Sequence, residues 1–129
     1  MKILTKGLIS IILLVVFAPA QIGGRMTYAI VNGNSMEPGF KKGDLVMALA
    51  QSAYAVNDVV LYDHPEIGLV FHRIIAIEQN RFVLKGDNNN WIDSYHPSQS
   101  NIHGKLWLMI PWLGRSLSWF HTPEGFSLA

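Results

Sequence analysis

Beyond residue 25, apolar residues occur in short runs or alternate with polar residues, and turn-forming residues separate these runs. Alternation with a period of two is typical of half-buried strands, and short apolar runs between turns are typical of buried ones. No stretch here combines a helical apolar period with helix caps. The pattern predicts a mostly β domain of antiparallel sheets with strands at residues 45–49, 58–62, 69–77, 81–84 and 105–110.

The longest predicted strand, residues 69–77, presents a histidine. Because side chains alternate across a strand, one face holds Val70, His72, Ile74 and Ala76, and the other holds Phe71, Arg73, Ile75 and Ile77. His72 is thus the one titratable group on its face. A hairpin across residues 78–80 is expected to bring Asp87 and Asp93 back toward it. The sequence therefore predicts a contact between His72 and one of these carboxylates.

An uncharged stretch, residues 7–24, follows Lys2 and Lys6 and is most apolar from residue 8 to 20. Two interpretations fit it. A cleaved signal peptide needs a site of small residues, which Ala18-Pro19-Ala20 loosely resembles. A spanning helix needs about 20 residues, with about 17 as the lower limit, and the uncharged length reaches that limit. In both cases the lysines predict a cytoplasmic N-terminus and an extracytoplasmic remainder.

The size and composition narrow the possible chemistry. A chain of 129 residues predicts one domain, and a net charge of +1 gives no indication of a nucleic-acid partner. The absence of cysteine excludes disulfides, cysteine-ligated zinc and a thiol nucleophile. His64, His96 and His103 are scattered and show no close metal-ligand spacing. We therefore expect no metal and no other cofactor.

Aromatic residues gather near the C-terminus: Trp107, Trp112, Trp119 and Phe120. Residues 106–120 are too few for a spanning helix, and they include Pro111 and Arg115. One interpretation is a core strand followed by a surface helix. The other, which we favour, is a patch that enters the lipid headgroups, where aromatic side chains collect.

A serine in a turn supplies candidate chemistry. Ser35 lies in a run rich in Gly, Asn and Pro, from residue 31 to 38. Taken singly, turn residues such as Ser35 and Asp87 usually bond only the backbone. Together with His72 and Asp93, they are the residue types of a nucleophile, its base and the group that orients the base. Lys85 is a rival base, although a lysine must first be desolvated to act near pH 7.

This combination resembles the type I signal peptidases. Ser35-Met36-Glu37-Pro38 with Gly43-Asp44 is similar to the family's nucleophile box, and Gly86-Asp87-Asn88-Asn89 with Asp93 is similar to its acidic box. His72-Arg73 stands where the common bacterial members carry Lys-Arg. Histidine there marks the branch found in the endoplasmic reticulum, in archaea and in some bacteria. Residues 104–114 also resemble that branch's ending, so the resemblance covers nearly the whole chain.

The resemblance implies a serine endopeptidase that cleaves signal peptides from exported pre-proteins after small residues, at a lipid bilayer. Ser35 would be the nucleophile and His72 the general base. Asp93 would orient His72, with Asp87 in support. Residues 1–24 are then better interpreted as a retained single-pass anchor, and residues 25–129 as an extracytoplasmic β catalytic domain with an aromatic, membrane-proximal C-terminal region.

Two alternatives remain open at this point. One is a related peptidase dedicated to a few pilin-like or conjugation substrates. The other is an anchored β module without catalytic activity. The second is supported by a departure from the family, because many members carry serine where Gly33 stands and use its hydroxyl to bind the oxyanion.

The oxyanion donors and the pocket walls are less defined. The backbone N–H of Ser35 is one expected donor, and the Asn34 side chain is a candidate for the second. A missing donor costs about 3–4 kcal/mol of transition-state stabilisation. Lys85 is expected to be a solvated or ion-paired lysine that supports the acidic box. Met36 and the strand around Val46 are candidates for the walls that select small side chains.

Overall fold

The computed structural model describes residue 19 and residues 24–112. Six strands follow one another along the chain: β1 (Met26–Ile30), β2 (Leu45–Leu49), β3 (Val59–His64), β4 (Gly68–Glu78), β5 (Arg81–Lys85) and β6 (Ile102–Ile110). A 3₁₀ turn, Gln99–Asn101, precedes β6. Within these residues no helix is long and apolar enough to cross a membrane. The predicted anchor lies almost entirely outside the described residues, as do Trp119 and Phe120.

The mostly β architecture and all five predicted strands are confirmed, and β2 has the predicted bounds. β1 was not predicted from the sequence. Its five residues, Met26-Thr27-Tyr28-Ala29-Ile30, form neither a continuous apolar run nor a strict alternation of apolar and polar residues, which are the two patterns that identify a strand. The predicted hairpin between β4 and β5 is confirmed: Gln79 and Asn80 have φ angles of 51° and 61°. Two successive positive φ angles are typical of a tight two-residue turn.

The strands form one sheet in the order β1-β2-β6-β3-β4-β5, and all neighbours are antiparallel. The last described strand, β6, thus lies between β2 and β3. It passes β2 closely, because a Cβ added to Gly104 would lie 2.8 Å from the carbonyl carbon of Leu49. Only glycine fits at this approach. The sheet therefore joins an N-terminal pair of strands to a three-stranded meander through β6.

Apolar side chains cover β3 on both of its faces. Val60 and Tyr62 belong to a cluster that includes Ile74 and Leu84, whereas Leu61 packs in a second cluster. Alternation along the strand places these clusters on opposite faces. β3 is therefore a buried central strand, and β4 pairs with it along its whole length.

One part of the face assignment on β4 is wrong. Val70, His72 and Ile74 are buried together, as expected. The register with β5 then shifts between Ile74 and Ala76, which is a β-bulge. Beyond it Ala76 pairs with Val83, so Ala76 leaves the face of His72, and Ile77 takes its place opposite Phe82. An inserted residue reverses the alternation, and hydropathy alone does not reveal it.

Candidate active site

Ser35 lies in the turn between β1 and β2. The turn is closed by backbone hydrogen bonds, since Glu37 N donates to the Asn34 carbonyl at 3.2 Å and Phe40 N to the Met36 carbonyl at 3.0 Å. The Met36 side chain beside it is fully buried and anchors the turn to the domain. The hydroxyl of Ser35 is consequently held at a fixed place at the edge of the core.

The loop that follows β5 is hydrogen-bonded to the same turn. Asn88 N donates to the Ser35 carbonyl at 2.8 Å, and Asn88 Nδ2 donates to the Asn34 carbonyl at 3.0 Å. Asp87 N approaches Met36 Sδ at 3.3 Å. Two segments about 50 residues apart therefore set the position of the serine together.

Gly86 permits this close approach. A Cβ at Gly86 would lie 2.7 Å from the Ser35 carbonyl oxygen and 2.7 Å from Asn89 Nδ2. We expect Gly86→Ala to lower the free energy of unfolding by about 1–3 kcal/mol through overpacking. A urea titration measures this change. Gly33→Ala is the matched control, because no heavy atom lies within 4 Å of its added Cβ, and a change within about 0.5 kcal/mol is expected. Equal free energies of unfolding for the two variants would contradict the prediction that a Cβ at Gly86 is too close to its neighbours.

His72 bridges the serine and a carboxylate. Its Nε2 lies 3.0 Å from Ser35 Oγ, and its Nδ1 lies 2.6 Å from Asp93 Oδ2. An ionised carboxylate can only accept hydrogen bonds, so Nδ1 carries the proton and donates to Asp93. Nε2 is then left to accept the Ser35 hydroxyl proton. His72 is only 9% exposed, which limits competition from water.

Asp93 reaches this position from the long loop between β5 and β6. Its backbone N donates to the Leu84 carbonyl at 2.8 Å, which ties this point of the loop to the end of β5. Its Oδ2 accepts a second hydrogen bond, from Tyr62 Oη at 2.9 Å. Burial raises the pKa of the Tyr62 phenol well above its usual range, and the Asp93 charge adds to this effect. Tyr62 therefore stays protonated and acts as a donor.

Sequence reasoning missed Tyr62. Tyr62 pairs with Val70 across β3 and β4, while His72 pairs with Val60, so the two side chains are diagonal neighbours on one face. The register of the two strands would have revealed this proximity. The sequence predicts the strands but leaves their register open.

Asp87 has a different partner. Both of its carboxylate oxygens accept hydrogen bonds from Arg73, from Nε and Nη2 at 2.9 Å each. These hydrogen bonds lower the pKa of the Asp87 carboxyl below its usual value. Arg73 also donates to the Asn57 carbonyl at 2.9 Å. The structure thus brings Asp93 to the imidazole, and it gives Asp87 to the arginine beside it on β4.

Lys85 and Asn34 lie close to this group. Lys85 ends β5, and its Nζ donates to the Gly86 carbonyl at 3.5 Å. Asn34 is exposed, and its carbonyl accepts hydrogen bonds from Glu37 N and Asn88 Nδ2. Both residues therefore adjoin the segments that hold Ser35.

The other histidines lie in separate surroundings. His64 Nδ1 accepts a hydrogen bond from Glu66 N at 3.0 Å, and His103 Nε2 lies 2.7 Å from Asp63 Oδ2. The His96 carbonyl accepts from Arg81. In the part of the chain that the structure describes, no group of three or more His, Asp and Glu residues could hold a metal ion.

A cleft of about 240 Å³ opens beside Ser35 and His72. It runs along the end of β1, and its walls are mainly apolar; they include Met36, Val46, Leu61 and Val70. The two wall residues considered from the sequence, Met36 and Val46, thus both line the cleft. A carbonyl group placed there would meet a hydroxyl whose proton has an acceptor at hydrogen-bonding distance, which is the arrangement for acyl transfer.

Comparison with known proteins identifies related chains. A family model described as Peptidase S24-like matches residues 11–107. The chain is 38% identical over 96 residues to the signal peptidase complex catalytic subunit SEC11 of Plasmodium falciparum (isolate 3D7), covering 67% of this chain and 50% of that protein. The SEC11 subunit of Metarhizium robertsii (strain ARSEF 23) is 33% identical over 73 residues, covering 50% of this chain and 42% of the relative. The chain spans about half the length of these relatives or less.

Proposed function

Because the chain belongs to the Peptidase S24-like family and to the type I signal peptidases, we propose that it is a membrane-anchored serine endopeptidase that removes signal peptides from exported pre-proteins. The observation that carries this proposal is the hydrogen-bonded series from Ser35 through His72 to Asp93. Both SEC11 relatives are named as catalytic subunits of signal peptidase complexes.

The proposed reaction begins with attack of Ser35 Oγ on the carbonyl carbon of the scissile bond. The hydroxyl proton passes to His72 Nε2, and Asp93 stabilises the imidazolium that forms. His72 then gives this proton to the leaving amine, so the peptide bond breaks and an acyl-enzyme remains. A water molecule attacks the ester with the same base, which releases the signal peptide and restores Ser35.

A histidine base suits this site better than a lysine. A neutral imidazole accepts a proton near pH 7 without further adjustment, whereas a lysine must lose its charge by desolvation. Lys85 Nζ lies against the Gly86 carbonyl, and the acceptor that faces Ser35 Oγ is His72 Nε2. We propose that Lys85 supports the loop after β5, which is hydrogen-bonded to the turn that carries Ser35.

The oxyanion of the tetrahedral intermediate needs hydrogen-bond donors. We propose the backbone N–H of Ser35 as one donor and the Asn34 side chain as the second. Gly33 lies in the same turn but has no side chain to contribute.

The cleft supports the proposed preference for small residues. We propose that its volume of about 240 Å³ holds several side chains of an extended peptide, which leaves little room for each. Met36 and Val46 are each 1% exposed and lie in the packed interior. A bulky substrate side chain would have to displace these closely packed residues, which costs strain energy. Peptides with small residues before the scissile bond would therefore be cleaved fastest.

Residues 1–24 would anchor the enzyme beside its substrates, with the N-terminus in the cytoplasm and the β domain outside it. Trp107 and Trp112 are 47% and 65% exposed, and we assign them to the surface that faces the lipid headgroups, where tryptophan is enriched. A membrane-bound enzyme would meet signal peptides while their apolar segments are still in the bilayer.

The test is cleavage of a pre-protein by the full chain in detergent, with the new N-terminus identified by mass spectrometry. We expect one cut after a small residue, and we expect little cleavage when that residue is replaced by phenylalanine. A serine-directed acylating probe should label Ser35. An unlabelled Ser35 together with an intact pre-protein would contradict the proposal and favour the non-catalytic module. Cleavage of only one or two substrates in a panel would favour the dedicated peptidase.

A further inference from the structure

We propose that Tyr62 is a positioning residue of this site, whose hydroxyl fixes the Asp93 carboxylate so that the carboxylate in turn fixes the His72 ring. The inference rests on the proposed function for its catalytic meaning. Its geometric basis is independent of that function, because Tyr62 Oη and His72 Nδ1 bind the same oxygen, Asp93 Oδ2, at 2.9 and 2.6 Å.

Asp93 is the member of this group that needs external support. Tyr62 and His72 lie on neighbouring strands, β3 and β4, whose pairing is regular from Val59 to His64. Asp93 comes from a loop, and its backbone is tied to β5 by the hydrogen bond to the Leu84 carbonyl. That bond leaves the carboxylate free to rotate about its side-chain bonds. The Tyr62 hydroxyl supplies a contact from the sheet that selects one orientation.

Tyr62 is itself held firmly. It is 1% exposed and belongs to the core cluster that contains Val60, Val70 and Ile74. Its ring stacks on Tyr95 with centroids 6.3 Å apart and an interplanar angle of 24°. A side chain that is closely packed on all sides keeps a fixed position relative to the sheet. The Tyr62 hydroxyl therefore donates its hydrogen bond to the Asp93 carboxylate from a fixed position.

The hydrogen bond from Tyr62 also affects the charge that His72 experiences. A donor on Oδ2 draws negative charge away from it, so the carboxylate stabilises an imidazolium less than an unbonded carboxylate would. Other ionisable groups near the ring are Asp87 on the loop after β5, whose carboxyl responds to the charge on His72, and His64 on β3, which lines a second cleft with Tyr62, His72 and Asp93. Lys85 on β5 acts on Asp87. None of these groups changes when the phenol oxygen alone is removed.

The experiment compares Tyr62→Phe with Tyr95→Phe in the full chain, with pre-protein cleavage measured across pH. Tyr95 is the matched control because its hydroxyl bonds Asn101 Oδ1 at 3.3 Å, away from Asp93. For Tyr62→Phe we expect kcat to fall about tenfold, less than the about 10²-fold cost of a 1 Å misplacement, with KM unchanged. The acid limb of the parent profile, where the base becomes protonated, is the reference. Its midpoint should rise by about half a pH unit in Tyr62→Phe and stay in place in Tyr95→Phe.

An unchanged midpoint in Tyr62→Phe would overturn the proposal, even if kcat fell, because lost packing alone lowers activity without changing the charge on Asp93. An equal shift in Tyr95→Phe would overturn it as well.

A measurement without substrate separates this inference from the proposed function. NMR titration of the His72 ring in a Ser35→Ala background should show the same rise in midpoint when Tyr62→Phe is added. If the parent cleaves no pre-protein, the proposed function fails, and the titration still decides the role of Tyr62.

A second variant covers the case in which Tyr62→Phe does not fold. A ring-fluorinated tyrosine at position 62 keeps the shape and makes the phenol a stronger donor. Because burial raises the pKa of Tyr62 so far, this phenol remains protonated near neutral pH. The midpoint should then move below that of the parent. A midpoint equal to that of the parent would overturn the proposal.

Discussion

Replacing Ser35 with alanine is expected to lower kcat for pre-protein cleavage by about 10⁶-fold, to what binding and oxyanion stabilisation supply on their own. The Ser35 hydroxyl is the oxygen 3.0 Å from His72 Nε2, and its loss leaves no atom to form the acyl-enzyme. The measurement is the rate of product formation by the purified full chain in detergent, with enzyme and substrate concentrations matched across variants.

Ser52→Ala serves as the control for this prediction. Ser52 is exposed between β2 and β3, and its carbonyl, which the substitution retains, accepts a hydrogen bond from Gln99. Its kcat should equal that of the parent. If Ser35→Ala cleaved at the parent rate, Ser35 would have no covalent role and another residue would have to act.

Replacing Asp93 with asparagine is expected to lower kcat by about 10⁴-fold. An amide is close in size to a carboxylate, so the packing is retained. Its NH₂ group, however, can donate toward Nδ1, and this favours the wrong imidazole tautomer, in which Nε2 carries the proton and cannot accept the proton of Ser35. Steady-state kinetics measure the loss, and circular dichroism checks the fold.

Two other aspartates make this prediction specific. Asp63→Asn changes an exposed carboxylate that pairs with His103, and it should leave kcat unchanged. Asp87→Asn removes the partner of Arg73 and should reduce kcat far less than Asp93→Asn does. A loss in Asp87→Asn as large as that in Asp93→Asn would contradict the assignment of Asp93 as the orienting acid.

The pairing of Asp87 with Arg73 also predicts a contribution to folding stability that depends on pH. Because the folded state lowers the pKa of Asp87, the pair stabilises the fold above the carboxyl's unfolded-state value. This contribution is lost as the pH falls through the lower folded-state pKa. Both side chains are about one-third exposed, at 34% and 30%, so the contribution is within about 1 kcal/mol. The stability difference between the parent and Asp87→Asn should therefore be present at pH 7 and absent in strong acid. A difference that persisted in acid would contradict this account.

The alternation of apolar and polar residues was sufficient to predict five strands, because each of them buries one or both faces against neighbours. β1 was missed since its five residues form neither a continuous apolar run nor a strict alternation. The reversal of faces beyond Ile74 was missed because a bulge is defined by pairing with β5. Local patterns report what a segment buries, and they carry little information about its register with another segment.

The same limit applies to the site. Residue types and their order pointed to Ser35, His72 and the two aspartates, and the structure places Ser35, His72 and Asp93 within hydrogen-bonding distance. The separate position of Asp87 depends on Arg73, and that of Asp93 depends on the Leu84 carbonyl. The position of Tyr62 beside His72 depends on the register between β3 and β4. The roles of the anchor and of Trp119 and Phe120 stay predictions from the sequence.

The central place of β6 has a consequence for how the protein matures on the ribosome. The strands that flank the serine, β1 and β2, are joined in the described sheet to the strands that carry the histidine only through residues 102–110. A nascent chain that lacks these residues cannot form that connection. The group formed by Ser35, His72 and Asp93 would thus be assembled only once residues 102–110 have left the exit tunnel and joined the sheet.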